Sequence, residues 1–260
     1  MKNELHFTAA GNSRLPAIIF LHGFMGSAED WAPVVERLKE HYYCLAIDLP
    51  GHGKSLSLSS RKLYDMPCTA ALVVELLERL KVKRVSLVGY SMGGRLGLYL
   101  ALKHPSRFQK VVLESASPGL KTAAERAERR KQDERLAQEL EHGRFDEFLE
   151  KWYRNPLFAS LRQHPDFAHL RQRRLKNDPR ELAKSLRAMG TGSQPSLWEE
   201  LKSNKIPLLL LAGEFDVKFN RLAAEVAVTC PAARVKVISG CGHNVHFEKR
   251  GEFADSILFF

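Results

Sequence analysis

The sequence has little cysteine and no long apolar run. Its 260 residues include four cysteines, and no two of them form a Cys-x-x-Cys pair. This number is too small for a disulfide scaffold, so we expect free thiols in a reducing compartment. The longest apolar run, 206–213, is far shorter than the roughly 20 residues that a membrane-spanning helix needs. The first residues are polar and charged, unlike a signal peptide. We therefore expect a cytoplasmic protein without membrane insertion.

Charge and histidine content give no sign of a nucleic-acid or metal site. The formal net charge is +10, but acidic residues are interleaved with the basic ones and no nucleic-acid-binding motif accompanies them. We interpret most charges as solvated helix faces and expect no nucleic-acid partner. His243 and His246 have the spacing of a metal-binding pair, yet no third ligand lies near them in the sequence. We therefore expect no metal.

Charged residues concentrate in the middle of the chain. Residues 121–204 contain 18 Lys and Arg and 14 Asp and Glu, so 32 of 84 residues are charged, against 38 of the other 176. The segment has a helical pattern and interrupts an alternation of predicted strands and helices. This pattern predicts an α/β fold with a mostly parallel central sheet flanked by helices. The core would comprise 1–120 and 205–260, and 121–204 would form an inserted helical cap.

The segment 85–95 has the pattern of a nucleophile elbow. It reads VSLVGYSMGGR, an apolar strand that ends in Gly-x-Ser-x-Gly, and a predicted helix over 95–104 follows. In such an elbow the sharp turn lifts the serine out of the sheet, and the helix N-terminus faces any negative charge that forms there. The motif alone is compatible with a tight turn without function. The strand before it and the helix after it favour Ser91 as a catalytic residue.

An acid and a histidine follow in the order that an elbow of this kind requires. Asp216 comes just after the predicted buried strand 207–213, and His243 comes after the predicted strand 235–238. Singly, such residues are more often turn or structural residues. Three of them at the ends of three parallel strands predict a Ser-His-Asp triad at the edge where open α/β sheets bind ligands. Glu214 is a rival acid, and we favour Asp216 over it.

A glycine-rich connection near the start of the chain supplies a second candidate element. Residues 17–21 form a predicted strand that ends in HGFMG (22–26), where glycines allow backbone N–H groups to face a cavity. The N–H groups of Phe24 and Met92 would form a two-donor oxyanion hole. By itself, this segment is equally compatible with a strand-to-helix connection without function.

These motifs resemble those of an α/β-hydrolase family, the 2-succinyl-6-hydroxy-2,4-cyclohexadiene-1-carboxylate synthases of menaquinone and phylloquinone biosynthesis. The resemblance covers nearly the whole chain. It rests on HGFMGS (22–27), DLPGHGKS (48–55), GYSMGGR (89–95), LESASPGL (113–120), ERAERR (125–130), GTGSQPSLW (190–198), LAGEFDVKF (211–219) and GCGHNVHFE (240–248). The elbow and triad occur in hydrolases generally, whereas SASPGL, GTGSQPSLW and GEFDVKF are much more specific.

The resemblance implies a carbon–oxygen lyase that works without a cofactor. The substrate would be a small-molecule tricarboxylate, 2-succinyl-5-enolpyruvyl-6-hydroxy-3-cyclohexene-1-carboxylate, from which pyruvate is removed by 1,4-elimination. By position, the family's triad corresponds to Ser91, Asp216 and His243, with the serine acting as the base. Its oxyanion donors correspond to the backbone amides of Phe24 and Met92. Its substrate-contacting residues correspond to Tyr90, Arg95, Arg129, Trp152 and Arg173. In the cap, Arg130 or Arg174 could take the place of its neighbour.

Two other functions remain open on the sequence. An ester or carbon–carbon-bond hydrolase would use the same triad and would turn over chromogenic esters. A non-catalytic ligand receptor of this fold would keep the pocket, and some receptors retain an intact triad. Pyruvate release from the enolpyruvyl substrate separates all three functions. For the oligomeric state we expect a monomer or a weak homo-oligomer.

Overall fold

A mostly parallel β-sheet forms the centre of the molecule. The computed structural model describes residues 4–56 and 60–260 and, of Arg61, the backbone alone. Within these residues, seven strands form one sheet in the order β1-β3-β2-β4-β5-β6-β7, with β1 antiparallel to β3 and the other pairs parallel. The strands are β1 (Phe7–Ala10), β2 (Ala17–Leu21), β3 (Tyr43–Ile47), β4 (Val85–Tyr90), β5 (Phe108–Glu114), β6 (Leu208–Gly213) and β7 (Ala233–Ile238).

Helices connect these strands and cover the sheet. The α-helices are α1 (Ala32–Leu38), α2 (Met66–Arg79), α3 (Met92–Lys103), α4 (Ala123–His142), α5 (Phe145–Tyr153), α6 (Ala159–Gln163), α7 (Phe167–Arg174), α8 (Pro179–Met189), α9 (Trp198–Leu201), α10 (Val217–Thr229), α11 (Val245–Glu248) and α12 (Arg250–Leu258). Short 3-10 helices span Ala28–Trp31, Arg61–Tyr64, Pro105–Arg107 and Pro156–Phe158. No helix in the described ranges is both long and apolar enough to span a membrane.

Both faces of the sheet are packed against helices. Every residue of β4 and β6 is buried, as their near-continuous apolar sequences require of parallel strands covered on two sides. One apolar layer joins the sheet to α2, α3 and α10, and the other joins it to α1 and α12. The predicted α/β architecture with a mostly parallel sheet is confirmed.

Five helices, α4 to α8, lie between β5 and β6 in the sequence and have an apolar cluster of their own. The cluster includes Leu140, Leu149, Leu170 and Leu182, and it meets the core at Met25. We call these helices the cap. The division of the chain at 121 and 204 stays a prediction.

Several element boundaries differ from those that the sequence predicts. The helix expected over 95–104 begins three residues earlier, at Met92, because the elbow turn leads directly into it. The strand expected at 235–238 begins two residues earlier and spans Ala233–Ile238. Strand β1 was not expected, since it is a four-residue edge strand whose two central residues are exposed.

Candidate active site

Ser91 lies at the turn between β4 and α3. Its backbone has φ 48° and ψ −104°, a conformation that is costly for a residue other than glycine. Its N–H donates a hydrogen bond to the carbonyl oxygen of Glu114, 2.8 Å away, which ties the turn to β5. A Cβ atom at Gly93 would lie 2.1 Å from the carbonyl oxygen of Leu21, and one at Gly89 would lie 2.5 Å from the carbonyl oxygen of Gly93. The two glycines therefore allow the close packing that holds the serine in this conformation.

Three side chains at the ends of β4, β6 and β7 form a hydrogen-bonded chain. His243 Nδ1 lies 2.7 Å from Asp216 Oδ2, and His243 Nε2 lies 3.3 Å from Ser91 Oγ. With the proton on Nδ1 donated to the carboxylate, Nε2 can accept from the serine hydroxyl. The structure thus brings together the three residues that the sequence predicts. The rival Glu214 points elsewhere, since its carboxylate accepts a hydrogen bond from the N–H of Gly240.

The hydroxyl of Ser115 forms a hydrogen bond with the Asp216 carboxylate of the Ser-His-Asp triad. Ser115 Oγ donates to Asp216 Oδ2 at 2.9 Å, the same oxygen that contacts His243. Ser115 also has a positive φ of 46°, at the point where the chain leaves β5 for the cap. Sequence reasoning missed this residue, although it lies within the LESASPGL motif.

Beneath these residues, His246 is engaged by a buried carboxylate. Its N–H and Nδ1 lie 3.1 and 2.7 Å from the two carboxylate oxygens of Glu114, and its ring stacks on Trp31 at a centroid distance of 4.3 Å. His246 therefore contributes to the packed interior rather than forming a pair with His243. No cluster of three His, Cys, Asp or Glu side chains suited to a metal ion occurs among the described residues.

Phe24 and Met92, whose N–H groups are the candidate oxyanion donors, line the same cavity. Phe24 follows β2, and its ring contacts the rings of His52 and Trp152, with centroids 5.6 and 5.5 Å away. Met92 opens α3, where the first N–H groups have no acceptor within the helix. Within the described ranges, neither N–H donates to another protein group. Both are free to bind a ligand oxygen, and their role as oxyanion donors stays a prediction.

A cavity of about 920 Å³ lies between the strand ends and the cap. Of the predicted substrate-contacting residues, those that line it are Tyr90, Arg95, Arg129 and Trp152, together with Ser91 and His243. Arg173 is not among the lining residues, and its neighbour Arg174 is. The structure does not place Arg173 at the cavity wall. A substrate contact from this residue stays a prediction.

The two neighbouring arginines contact the same carboxylate, that of Asp30, but differ in burial and in the number of contacts. Arg174 is 4% exposed, and its Nη1 and Nη2 lie 2.9 and 2.8 Å from the two carboxylate oxygens of Asp30. Arg173 Nη2 contacts one of these oxygens at 3.1 Å from a more exposed position. Burial alone would raise the pKa of Asp30, but the charge and hydrogen bonds of Arg174 lower it to about 2. The Asp30 carboxylate also accepts a hydrogen bond from the backbone N–H of Ser27, 3.3 Å away.

The other two cavity arginines lie near each other. Arg129 Nε donates to Asp133 Oδ1 at 2.7 Å, while Arg95 Nη1 donates to Gln194 Oε1 at 3.2 Å. Burial, with repulsion from Arg129, lowers the pKa of Arg95 to about 10, so the guanidinium remains charged at neutral pH. Tyr90 is buried, whereas Arg95 is half-buried, and burial with the nearby Glu114 raises the pKa of the Tyr90 hydroxyl well above the ordinary value. The walls therefore combine fixed positive charge with a neutral phenol.

Comparison with known proteins gives consistent relatives. Residues 16–250 match the alpha/beta hydrolase fold family. A 2-succinyl-6-hydroxy-2,4-cyclohexadiene-1-carboxylate synthase of Salmonella newport (strain SL254) is 37% identical over 95% of this chain and 94% of its own length. A Bacillus subtilis (strain 168) protein that provisionally carries the same name is 38% identical over 96% and 92%. The solved structure of MenH from S. aureus has a TM-score of 0.93 at 36% identity, covering 99% of this chain and 97% of that one.

Proposed function

This chain belongs to the 2-succinyl-6-hydroxy-2,4-cyclohexadiene-1-carboxylate synthase family of α/β-hydrolases, and from that premise we propose that it is a carbon–oxygen lyase. It eliminates pyruvate from 2-succinyl-5-enolpyruvyl-6-hydroxy-3-cyclohexene-1-carboxylate and gives the product for which the family is named. The observation that carries this proposal is a Ser-His-Asp chain that opens into a cavity with three arginines in its wall. Guanidinium groups bind carboxylates, and the substrate has three.

The first chemical step removes a proton from the carbon beside the succinyl ketone. Ser91 Oγ takes this proton as its own passes to His243 Nε2, and Asp216 stabilises the imidazolium that forms. The ketone becomes an enolate, whose electrons then expel the enolpyruvyl oxygen as the carbon–oxygen bond breaks. The proton held on His243 is available to the leaving group, so the enzyme ends each cycle as it began.

Negative charge collects on the ketone oxygen in this step. The N–H groups of Phe24 and Met92 donate to that oxygen, and the N-terminus of α3 adds the positive end of its dipole. Because these donors are fixed by the backbone, they need little reorganisation when the enolate forms. This role is supported by the position of both residues on the cavity wall. It is also supported by the absence of a protein acceptor for either N–H among the described residues.

The cavity wall holds the substrate's carboxylates and favours polyanions over neutral substrates. Arg95 and Arg129 bind carboxylate groups directly, and Tyr90 and Trp152 provide aromatic surface for the ring. Arg173, or in its place Arg174, takes the remaining carboxylate. Since Arg174 is already paired with Asp30, any contact that it makes is shared with that carboxylate.

The experiment that tests this function measures pyruvate. Wild-type protein should release pyruvate from the enolpyruvyl substrate in an assay coupled to lactate dehydrogenase. Ser91→Ala and His243→Ala should each lose at least about a thousandfold in rate, as triad substitutions do elsewhere. Ser203→Ala, a serine on the exposed surface, is the matched control and should keep full activity. No pyruvate from the wild type, with rapid Ser91-dependent turnover of nitrophenyl esters, would favour a hydrolase.

We further propose that the protein works in the cytoplasm as a monomer or weak homo-oligomer, without a nucleic-acid partner. Four free cysteines support a reducing compartment. Acidic residues among the basic ones support the absence of a nucleic-acid partner. Sedimentation velocity at micromolar concentration measures the oligomeric state, and a stable oligomer would contradict that part of the proposal.

A further inference from the structure

The three arginines that line the cavity have different partners. Arg174 is paired with Asp30 through both terminal nitrogens, and Arg129 is paired with Asp133. The Arg95 side chain forms no ion pair with any carboxylate in the described ranges, and its one hydrogen bond there is to an amide oxygen. Two of the three cations are thus largely neutralised by the protein, and the third is not.

The partner of Arg95 is Gln194, which is fully buried. Its Nε2 donates to the carbonyl oxygen of Ser117 at 2.9 Å, so the amide is oriented with Oε1 toward the guanidinium. Its backbone N–H donates to the carbonyl oxygen of Gly190 at 3.1 Å, within the turn that ends the cap. The side chain is therefore held at both ends.

A neutral acceptor has a different effect from a carboxylate at this place. An amide oxygen orients a guanidinium but leaves its positive charge for a ligand, whereas a glutamate would form an ion pair and neutralise it. Arg95 is half-buried, and this burial together with the nearby charge of Arg129 lowers the pKa of its guanidinium to about 10. An arriving carboxylate would relieve this unfavourable arrangement.

We propose that Gln194 is a positioning and specificity-determining residue, which aims Arg95 at a substrate carboxylate and keeps its charge unpaired until substrate binds. This assignment rests on the proposed function for the identity of the substrate. Its electrostatic part concerns the binding of a polycarboxylate and can be measured without turnover.

The first experiment measures the binding of citrate, used as a tricarboxylate probe, by isothermal titration calorimetry. Gln194→Glu should weaken citrate binding about ten- to a hundredfold, the range expected when a charged hydrogen bond is lost. Gln172→Glu makes the same change of charge at an exposed position of α7 and should weaken binding less than about twofold. With the true substrate, Gln194→Glu should raise KM by a similar factor, with kcat changed less than about threefold.

A double-mutant cycle separates positioning from a merely structural role. Gln194→Met keeps the side-chain size and the charge of Arg95 but removes the hydrogen bond, and should weaken citrate binding about three- to tenfold. In an Arg95→Gln background, the same Gln194→Met change should have no further effect, because no guanidinium remains to be positioned. If Gln194→Glu does not fold, this cycle alone decides.

Three outcomes would overturn the proposal. They are a Gln194→Glu protein that binds citrate like the wild type, a Gln194→Met effect that persists in the Arg95→Gln background, and a wild type that binds citrate no better than Arg95→Gln. Absence of pyruvate release with the expected citrate results would instead refute the proposed function alone.

Discussion

The ion pair between Asp30 and Arg174 gives a quantitative test of how the cap is held on the core. It joins the 3-10 helix after β2 to α7, and both side chains are 5% exposed. Lowering the pKa of Asp30 from 3.8 to about 2 corresponds to about 2 kcal/mol of stability at neutral pH. Removing one partner of a buried pair costs about 3 to 5 kcal/mol, because the other charge is left uncompensated. We therefore expect Asp30→Asn to lower the free energy of unfolding by about 2 to 5 kcal/mol.

The assay is urea unfolding at pH 7, followed by circular dichroism and fluorescence. Asp146→Asn is the matched control, since Asp146 pairs with Arg144 on the exposed surface of the cap. Exposed ion pairs contribute less than about 1 kcal/mol, so this variant should unfold almost like the wild type. Equal destabilisation by the two substitutions would refute the reasoning that burial gives the Asp30 pair its strength.

The pH dependence of the same pair has a definite sign. The pKa of Asp30 is lower in the folded state than in the unfolded chain, so the unfolded chain binds the proton more readily. The stabilisation is complete above about pH 4 and is lost as the pH falls from about 4 to about 2. The difference in stability between wild type and Asp30→Asn should narrow over this window. A constant difference down to pH 2 would contradict the assignment.

Three further predictions concern the walls, the serine and the buried histidines. Arg95→Ala and Arg129→Ala should each lower kcat/KM for the tricarboxylate about ten- to a hundredfold, and the corresponding lysine variants should recover part of this loss. Wild-type kinetics in both alanine variants would place the anion site elsewhere. Because Ser91 acts as a base and forms no covalent intermediate, pre-steady-state pyruvate release should show no burst, and intact mass spectrometry during turnover should show unmodified protein. A trapped acyl adduct on Ser91 would contradict this role. Burial lowers the pKa of His22 and His52 below 6.5, so thermal stability should fall as the pH drops below that value. His52→Gln should make this dependence of stability on pH less steep, and an unchanged dependence would argue against a role for His52.

The sequence by itself determined the elements that depend on neighbouring residues. The elbow can be read from one short segment, because glycines at fixed offsets and the strand before them dictate where Ser91 lies. The positions of Asp216 and His243 follow from the same logic, since the carboxyl ends of parallel strands meet at one edge of the sheet. The order of the three residues and their positions at strand ends were therefore sufficient to predict that they form one hydrogen-bonded triad.

Only the tertiary structure decided which side chains of the cap reach the cavity. Adjacent residues on a helix point about 100° apart, and a charged sequence such as that of α7 gives no apolar stripe to fix the rotation. Packing of α7 against the core, through Asp30, places Arg174 rather than Arg173 at the wall. Gln194 contacts Arg95 although 99 positions separate them in the sequence, and no local sequence pattern predicts that contact. Contacts between distant segments depend on how the cap packs on the sheet, and that packing is a property of the whole fold.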